Sequence, residues 1–260
     1  MSDVTREDIV ASIRSLGVRP GDLMLVHSSL SSFGRVDGGA EAVGQALIDT
    51  VAPGGTVMVP TFNYGSLPYD PATTQSLTGA ISDAFWRLTG AVRSHHPTHA
   101  FAAIGPLAEE MMADHQNMDP LGHTSPLGRL WRADGWVLLI GCDHRSSSLI
   151  HTAEEALKVP YVGRTRVAGV LRGKEVTEVT VRRPGCSNGF NVVGDTMRQM
   201  KTIRETVVGK STLQLMRAGD VMAVASGMLA RDPAALLCRQ PDCERCAWAR
   251  ERINAKSRSS

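Results

Sequence analysis

The sequence lacks the marks of a membrane, exported or fibrous protein. Its wholly apolar runs are short, and the clearest, Trp136 to Ile140, falls far below the ~20 residues that a bilayer span needs. The first ten residues, MSDVTREDIV, hold no cationic segment followed by an apolar stretch, so nothing there marks the chain for export. Cysteines number five, an odd count, and three of them crowd into the last 23 residues. That pattern argues for a reducing cytosol over a disulfide framework. Internal repeats, low-complexity tracts and linkers are also missing, so residues 1–260 read as one domain. Aromatic residues are scarce at 5%.

What is present fits a globular chain with an ample core: 42% hydrophobic and 21% charged residues over 260 positions. The net charge of +2 disfavours a nucleic-acid partner, but its distribution is uneven. Residues 1–128 hold 6 Lys and Arg against 13 Asp and Glu, net −7; residues 129–260 hold 22 against 13, net +9. Two solvated faces would give such sums, and so would partners of both signs. All eight histidines lie between His27 and His151.

Periodicity alternates between helix and strand. Glu7–Leu16 and Ala40–Val51 space their apolar residues as helices do; Leu23–Val26, Thr56–Val59 and Trp136–Ile140 are buried strands. Further helices are expected over Gly79–Leu88, Leu107–His115, Pro126–Trp131, Ser147–Val159, Asp195–Ile203 and Asp220–Arg231. An extended stretch is expected from Val92 to Ile104, a hairpin over Arg166–Val181, and a strand near Thr206–Leu215. The order predicts an α/β fold in three layers, α/β/α, with a central, mostly parallel sheet plus a C-terminal β-hairpin and helices. Functional groups on such a sheet collect beyond the strand C-termini, where His27–Ser29 and Thr61–Tyr64 fall.

Several motifs fail when their context is checked. Gly209-Lys210-Ser211 looks like the end of a phosphate loop, but Arg204 occupies the required upstream glycine position. Gly185-Cys186-Ser187-Asn188-Gly189 matches G-x-S-x-G without a preceding buried strand, so a hydrolase through Ser187 is a minor alternative. Cys238-x4-Cys243-x2-Cys246 offers three thiols at metal spacing, yet no fourth ligand or histidine lies near in sequence, and no metal is expected. A zinc-stabilised binding module on those thiols is the competing reading from outside the enzymes.

His151 and Glu154 are stronger. An i,i+3 pair shares one helix face, so the carboxylate can orient the imidazole and make it a better base. A histidine so held suits deprotonation of an amine or hydroxyl, although a histidine packed near a helix start has the same spacing. His27-Ser28-Ser29-Leu30 and Arg93-Ser94-His95-His96-Pro97-Thr98-His99 add clustered donors.

The ordered set of these landmarks resembles the aminoglycoside 3-N-acetyltransferase family, antibiotic N-acetyltransferases unrelated in fold to the GNAT enzymes. It runs through Pro20-Gly21-Asp22, Val26-His27-Ser28-Ser29-Leu30, Gly54-Gly55-Thr56, Pro60-Thr61-Phe62, Arg93-Ser94, His96-Pro97-Thr98-His99 and Gly105-Pro106. Ser125-Pro126-Leu127-Gly128-Arg129-Leu130 and His151-Thr152-Ala153-Glu154 complete it. Ala100, where the family often has serine, and Ser146-Ser147-Ser148 depart from the usual pattern.

The resemblance implies acetyl transfer from acetyl-coenzyme A to the 3-amino group of the 2-deoxystreptamine ring of an aminoglycoside, giving antibiotic resistance in the cytoplasm. It implies direct transfer, with His151 as general base, Glu154 orienting it, and no metal. His27, Ser28, Ser29, Leu30, Arg93, Thr98 and Ser125 would hold the coenzyme; Asn63, Tyr64, Asp119, Glu155 and Asn188 would hold the acceptor. Between Arg93 and Arg129 the only charges are Glu109, Glu110, Asp114 and Asp119, a field suited to a polycation. Another small-molecule amine is the alternative acceptor. No membrane or nucleic-acid partner is implied, and the chain would act as a monomer or homodimer.

Overall fold

A computed structural model describes residues 3–117 and 119–258. Helix α1 (Arg6–Ser15) starts in a capping box, in which the Asp8 N–H donates to the Thr5 hydroxyl and the Thr5 N–H to the Asp8 carboxylate. Then come β1 (Leu23–Ser28), α2 (Gly39–Val51), β2 (Thr56–Pro60), α3 (Ala80–Phe85), β3 (Val92–Arg93), β4 (Phe101–Ile104) and α4 (Ala108–Met112). The middle of the chain adds α5 (Pro126–Arg132), β5 (Trp136–Ile140), α6 (Leu149–Ala156), β6 (Thr165–Arg172) and β7 (Glu175–Arg182). The remainder is α7 (Asn191–Gln199), β8 (Arg204–Val208), β9 (Ser211–Arg217), α8 (Ala218–Arg231) and α9 (Glu244–Ser257).

Seven strands form one sheet in the order β3-β4-β2-β1-β5-β9-β8, and β6 pairs with β7 in a separate hairpin. The core of the sheet, β2-β1-β5, is parallel, with Leu25 opposite Met58 and Val137; the flanking pairs are antiparallel. Continuous apolar runs are what central strands covered on both faces require. Alternation along them feeds two cores. Leu25, Met58, Val137 and Leu139 face α4–α9, while Met24, Val26, Val57, Leu138 and Ile140 face α1, α2 and α3. That division is the α/β/α layering.

The structure differs from the sequence pattern where turns interrupt extended runs. The stretch from Val92 to Ile104 is two antiparallel strands, because the His96 ring accepts the Thr98 and His99 N–H groups and folds the segment back. The strand expected near Thr206–Leu215 is the β8–β9 hairpin, turned at Gly209 with φ +58°. Lys210 therefore sits in a hairpin turn, and no phosphate cradle exists there. Helix α4 stops short of His115, as Asp114 takes φ +53°. Helix α9 carries only weak amphipathic patterning, and the periodicity of the sequence does not mark it. No helix among the described residues is long and apolar enough to cross a membrane.

Candidate active site

Because β1, β2 and β5 run parallel, the loops after them open on the same sheet edge. There they surround a cavity of about 450 Å³. His27 and Ser28 enter from the end of β1, Pro60 from β2, Ser146 and Ser148 from the segment after β5, and His151 from α6. Leu149, Ile150 and Ala153 anchor α6 in the core, which fixes the face that His151 presents.

His151 Nδ1 lies 2.6 Å from Glu154 Oε2, and both side chains are buried. The Tyr161 hydroxyl donates to the other carboxylate oxygen at 3.0 Å. Burial and the Glu154 charge push the Tyr161 pKa up, so it stays a donor. The imidazole also stands edge-on to Phe190, 4.7 Å between centroids. With Nδ1 committed to the carboxylate, Nε2 is the nitrogen left to exchange a proton. His27 is neutral, since burial pulls its pKa down to about 4; its Nε2 lies 3.4 Å from Ser148 Oγ. The buried Ser28 hydroxyl, in the cavity wall, has no hydrogen-bond partner among the described residues.

Arginines form the other half of the site. Arg145, Arg166, Arg183 and Arg245 line the cavity. Arg145 pairs with Asp143 at 2.8 Å. Arg166 donates to the Tyr64 and Gly65 carbonyls, and Arg245 to the Gly185 carbonyl at 3.2 Å. Among the described residues no carboxylate lies within ion-pair distance of Arg166, Arg183 or Arg245. Burial and the neighbouring Arg164, Arg245 and Arg166 charges lower the Arg183 pKa. Crowded cations without counter-charges make a site for anions such as phosphate.

Of the residues singled out in the sequence, His27, Ser28, Tyr64, His99, His151 and Ser187 line the cavity, and Glu154 stands behind His151. Others do structural work. Arg93 is not at the cavity: its buried guanidinium donates to the Thr61 hydroxyl and to the Thr61, Pro71 and Thr74 carbonyls, and lies over the Trp86 ring. Ser125 caps α5, accepting from the Leu127 N–H. Asn63 ties its own loop through Leu67 and Gly65. Thr98 orients His99, 2.8 Å from Nδ1.

The Ser29 N–H donates to the Ile140 carbonyl at 2.9 Å, and its hydroxyl meets Ser31. Leu30 opens a turn of 3-10 helix and packs against the core. Asn188 faces Gln240, outside this cavity. Asp119 and Glu155 do stand together, but Arg182 bridges them at 2.9 and 3.3 Å, so the acidic field carries a countercharge. Ser187 lies in a turn ahead of α7, not in a strand–turn–helix elbow. Sequence reasoning misses Tyr161 and the arginines of β6, the loop after β7, and α9; the net +9 of the C-terminal half is their only signal.

The pattern of the family described as aminoglycoside 3-N-acetyltransferase matches residues 25–230. Over 236 residues the chain is 36% identical to aminoglycoside N(3)-acetyltransferase IV from Salmonella sp, covering 89% of this chain and 90% of that one. Its structure is similar to that of aminoglycoside acetyltransferase AAC(3)-IVa apoenzyme, with a TM-score of 0.89 and 34% identity over 97% of this chain and 99% of that one. A histidine-to-alanine mutant of AAC(3)-IVa in complex with a gentamicin matches over the same shares at 34% identity and a TM-score of 0.88.

Proposed function

The chain belongs to the aminoglycoside 3-N-acetyltransferase family, and on that premise we propose that it acts as one domain to acetylate the 3-amino group of an aminoglycoside's 2-deoxystreptamine ring from acetyl-coenzyme A. The observation that carries this reading is a buried His151–Glu154–Tyr161 chain opening on a cavity walled by arginines, three of them without a carboxylate partner among the described residues.

The neutral acceptor amine attacks the thioester carbonyl. A new C–N bond forms, His151 Nε2 takes the amine proton, the C–S bond breaks, and the proton passes to the departing coenzyme thiolate. A thioester is already activated, so positioning and one base suffice. Glu154 keeps Nδ1 protonated and stabilises the imidazolium while Tyr161 holds the carboxylate in place. The Ser28 hydroxyl, buried and without a partner among the described residues, is suited to donate to the developing oxyanion. Arg166, Arg183 and Arg245 take the coenzyme phosphates. Asp119 and Glu155, whose shared cation is Arg182, supply carboxylates against which an acceptor ammonium can exchange.

A thiol-release assay with acetyl-coenzyme A, run across aminoglycosides and simple amines, tests this reading. Release with 2-deoxystreptamine aminoglycosides, abolished when the 3-amino group is blocked, is expected. Release only with simple amines would replace the acceptor; no release would remove the activity.

A further inference from the structure

We propose that Cys186, Cys238, Cys243 and Cys246 form a closed, structural tetrathiolate site for zinc. The sequence shows three thiols, and the fold supplies the fourth from the segment after β7. All four sulfurs lie within 4.8 Å of one another, with Cys243–Cys186 at 3.6 Å and Cys186–Cys238 at 4.0 Å. None is bridged. A tetrahedron with Zn–S bonds of about 2.3 Å has S···S edges of about 3.8 Å, which these separations bracket.

Free cysteines also pack as small apolar groups, so closeness alone does not decide. The surroundings do. The Asn188 N–H points at Cys186 Sγ at 3.4 Å. Cys243 is the cap residue of α9 and Cys246 lies in its first turn, an x2 spacing that lets both sulfurs face one point. An N–H aimed at sulfur favours the thiolate, the form that binds metal. An all-sulfur donor set selects zinc over magnesium or calcium. Four protein ligands leave no open position, so the ion is structural and stands outside the acetyl transfer.

Its place explains its use. Cys186 lies between Gly185 and Ser187, and Cys246 follows Arg245; those three neighbours line the cavity. The ion would staple the cavity wall to α9, and so hold Arg183 and Arg245 where the phosphates arrive.

The full-length chain, purified without chelator, is analysed for metal and for its spectrum after exchange with cobalt(II). About one zinc per chain is expected, with thiolate-to-cobalt charge transfer and tetrahedral d–d absorption after exchange. Cys243→Ser should lose the ion, whereas Cys142→Ser, outside the cluster, should retain it. Less than about one zinc per ten chains, with all four thiols freely reactive in the native protein, would overturn the proposal. So would a cobalt spectrum without thiolate ligation. If Cys243→Ser does not fold, the unsubstituted chain's stoichiometry and cobalt spectrum decide.

Discussion

Moving the protein from pH 7 to pH 5 should cost it much of its stability, and the cause is five buried histidines. Burial draws the His27 and His96 pKa values down to about 4, holds His99 and His115 well below the usual range, and lowers His144. In the unfolded chain each titrates near 6.5. Between pH 6.5 and 4 the unfolded state therefore binds more protons, and stability falls as pH falls. For His27 and His96 the loss at pH 5 is about 2 kcal/mol each, out of a net stability on the order of 5–15 kcal/mol. His99, His115 and His144 add in the same direction. Asp8, Asp49, Asp83 and Asp143, whose pKa values are lowered, lose their contribution only below the carboxylate range, so the two windows separate. Urea titrations followed by tryptophan fluorescence at pH 7, 6 and 5 measure the effect, and His96→Gln should flatten it. A midpoint constant from pH 7 to 5 would refute the reasoning. The consequence reaches function: an acid limb in activity must be corrected for unfolded protein before it is assigned to His151.

Arg93→Ala should destabilise the fold by about 3 kcal/mol or more, because carbonyls of Thr61, Pro71 and Thr74 lose a buried donor, while the KM for acetyl-coenzyme A per folded molecule stays unchanged. A raised coenzyme KM with an unaltered melting temperature would return Arg93 to the site. Arg183→Ser should raise the acetyl-coenzyme A KM about tenfold and leave the acceptor KM alone; the opposite split would count against phosphate binding. Glu154→Gln should lower kcat more than Tyr161→Phe does, since the first removes the imidazolium's counter-charge and the second only its hydrogen bond. The reverse order would displace Glu154 from its role.

The layering was legible because Leu23–Val26, Thr56–Val59 and Trp136–Ile140 are apolar without interruption, and only doubly covered strands need that. His151 and Glu154 were legible because i,i+3 spacing is local geometry, true wherever the helix packs. Residue type misled at Arg93, Ser125 and Asn63. A guanidinium, a hydroxyl and an amide look like ligand donors, yet Ser125 and Asn63 serve backbone groups of their own turns, and Arg93 serves carbonyls that only the folded chain brings near. The same limit hid what crosses long separations. Arg182 reaches Asp119 from β7, Arg166 reaches the Tyr64 loop from β6, and Cys186 meets Cys238 across 52 residues of sequence. The net +9 of the C-terminal half was read only as a charge imbalance, because a sum over 132 residues cannot say which arginines the fold gathers at one cavity.

The central claim is that His151 takes the proton as the acceptor amine attacks. His151→Ala, assayed for thiol release with a 2-deoxystreptamine aminoglycoside and for coenzyme binding by calorimetry, tests it most directly. A kcat lower by ~10²-fold or more, with coenzyme affinity retained, is expected. Turnover equal to that of the unsubstituted chain would contradict it.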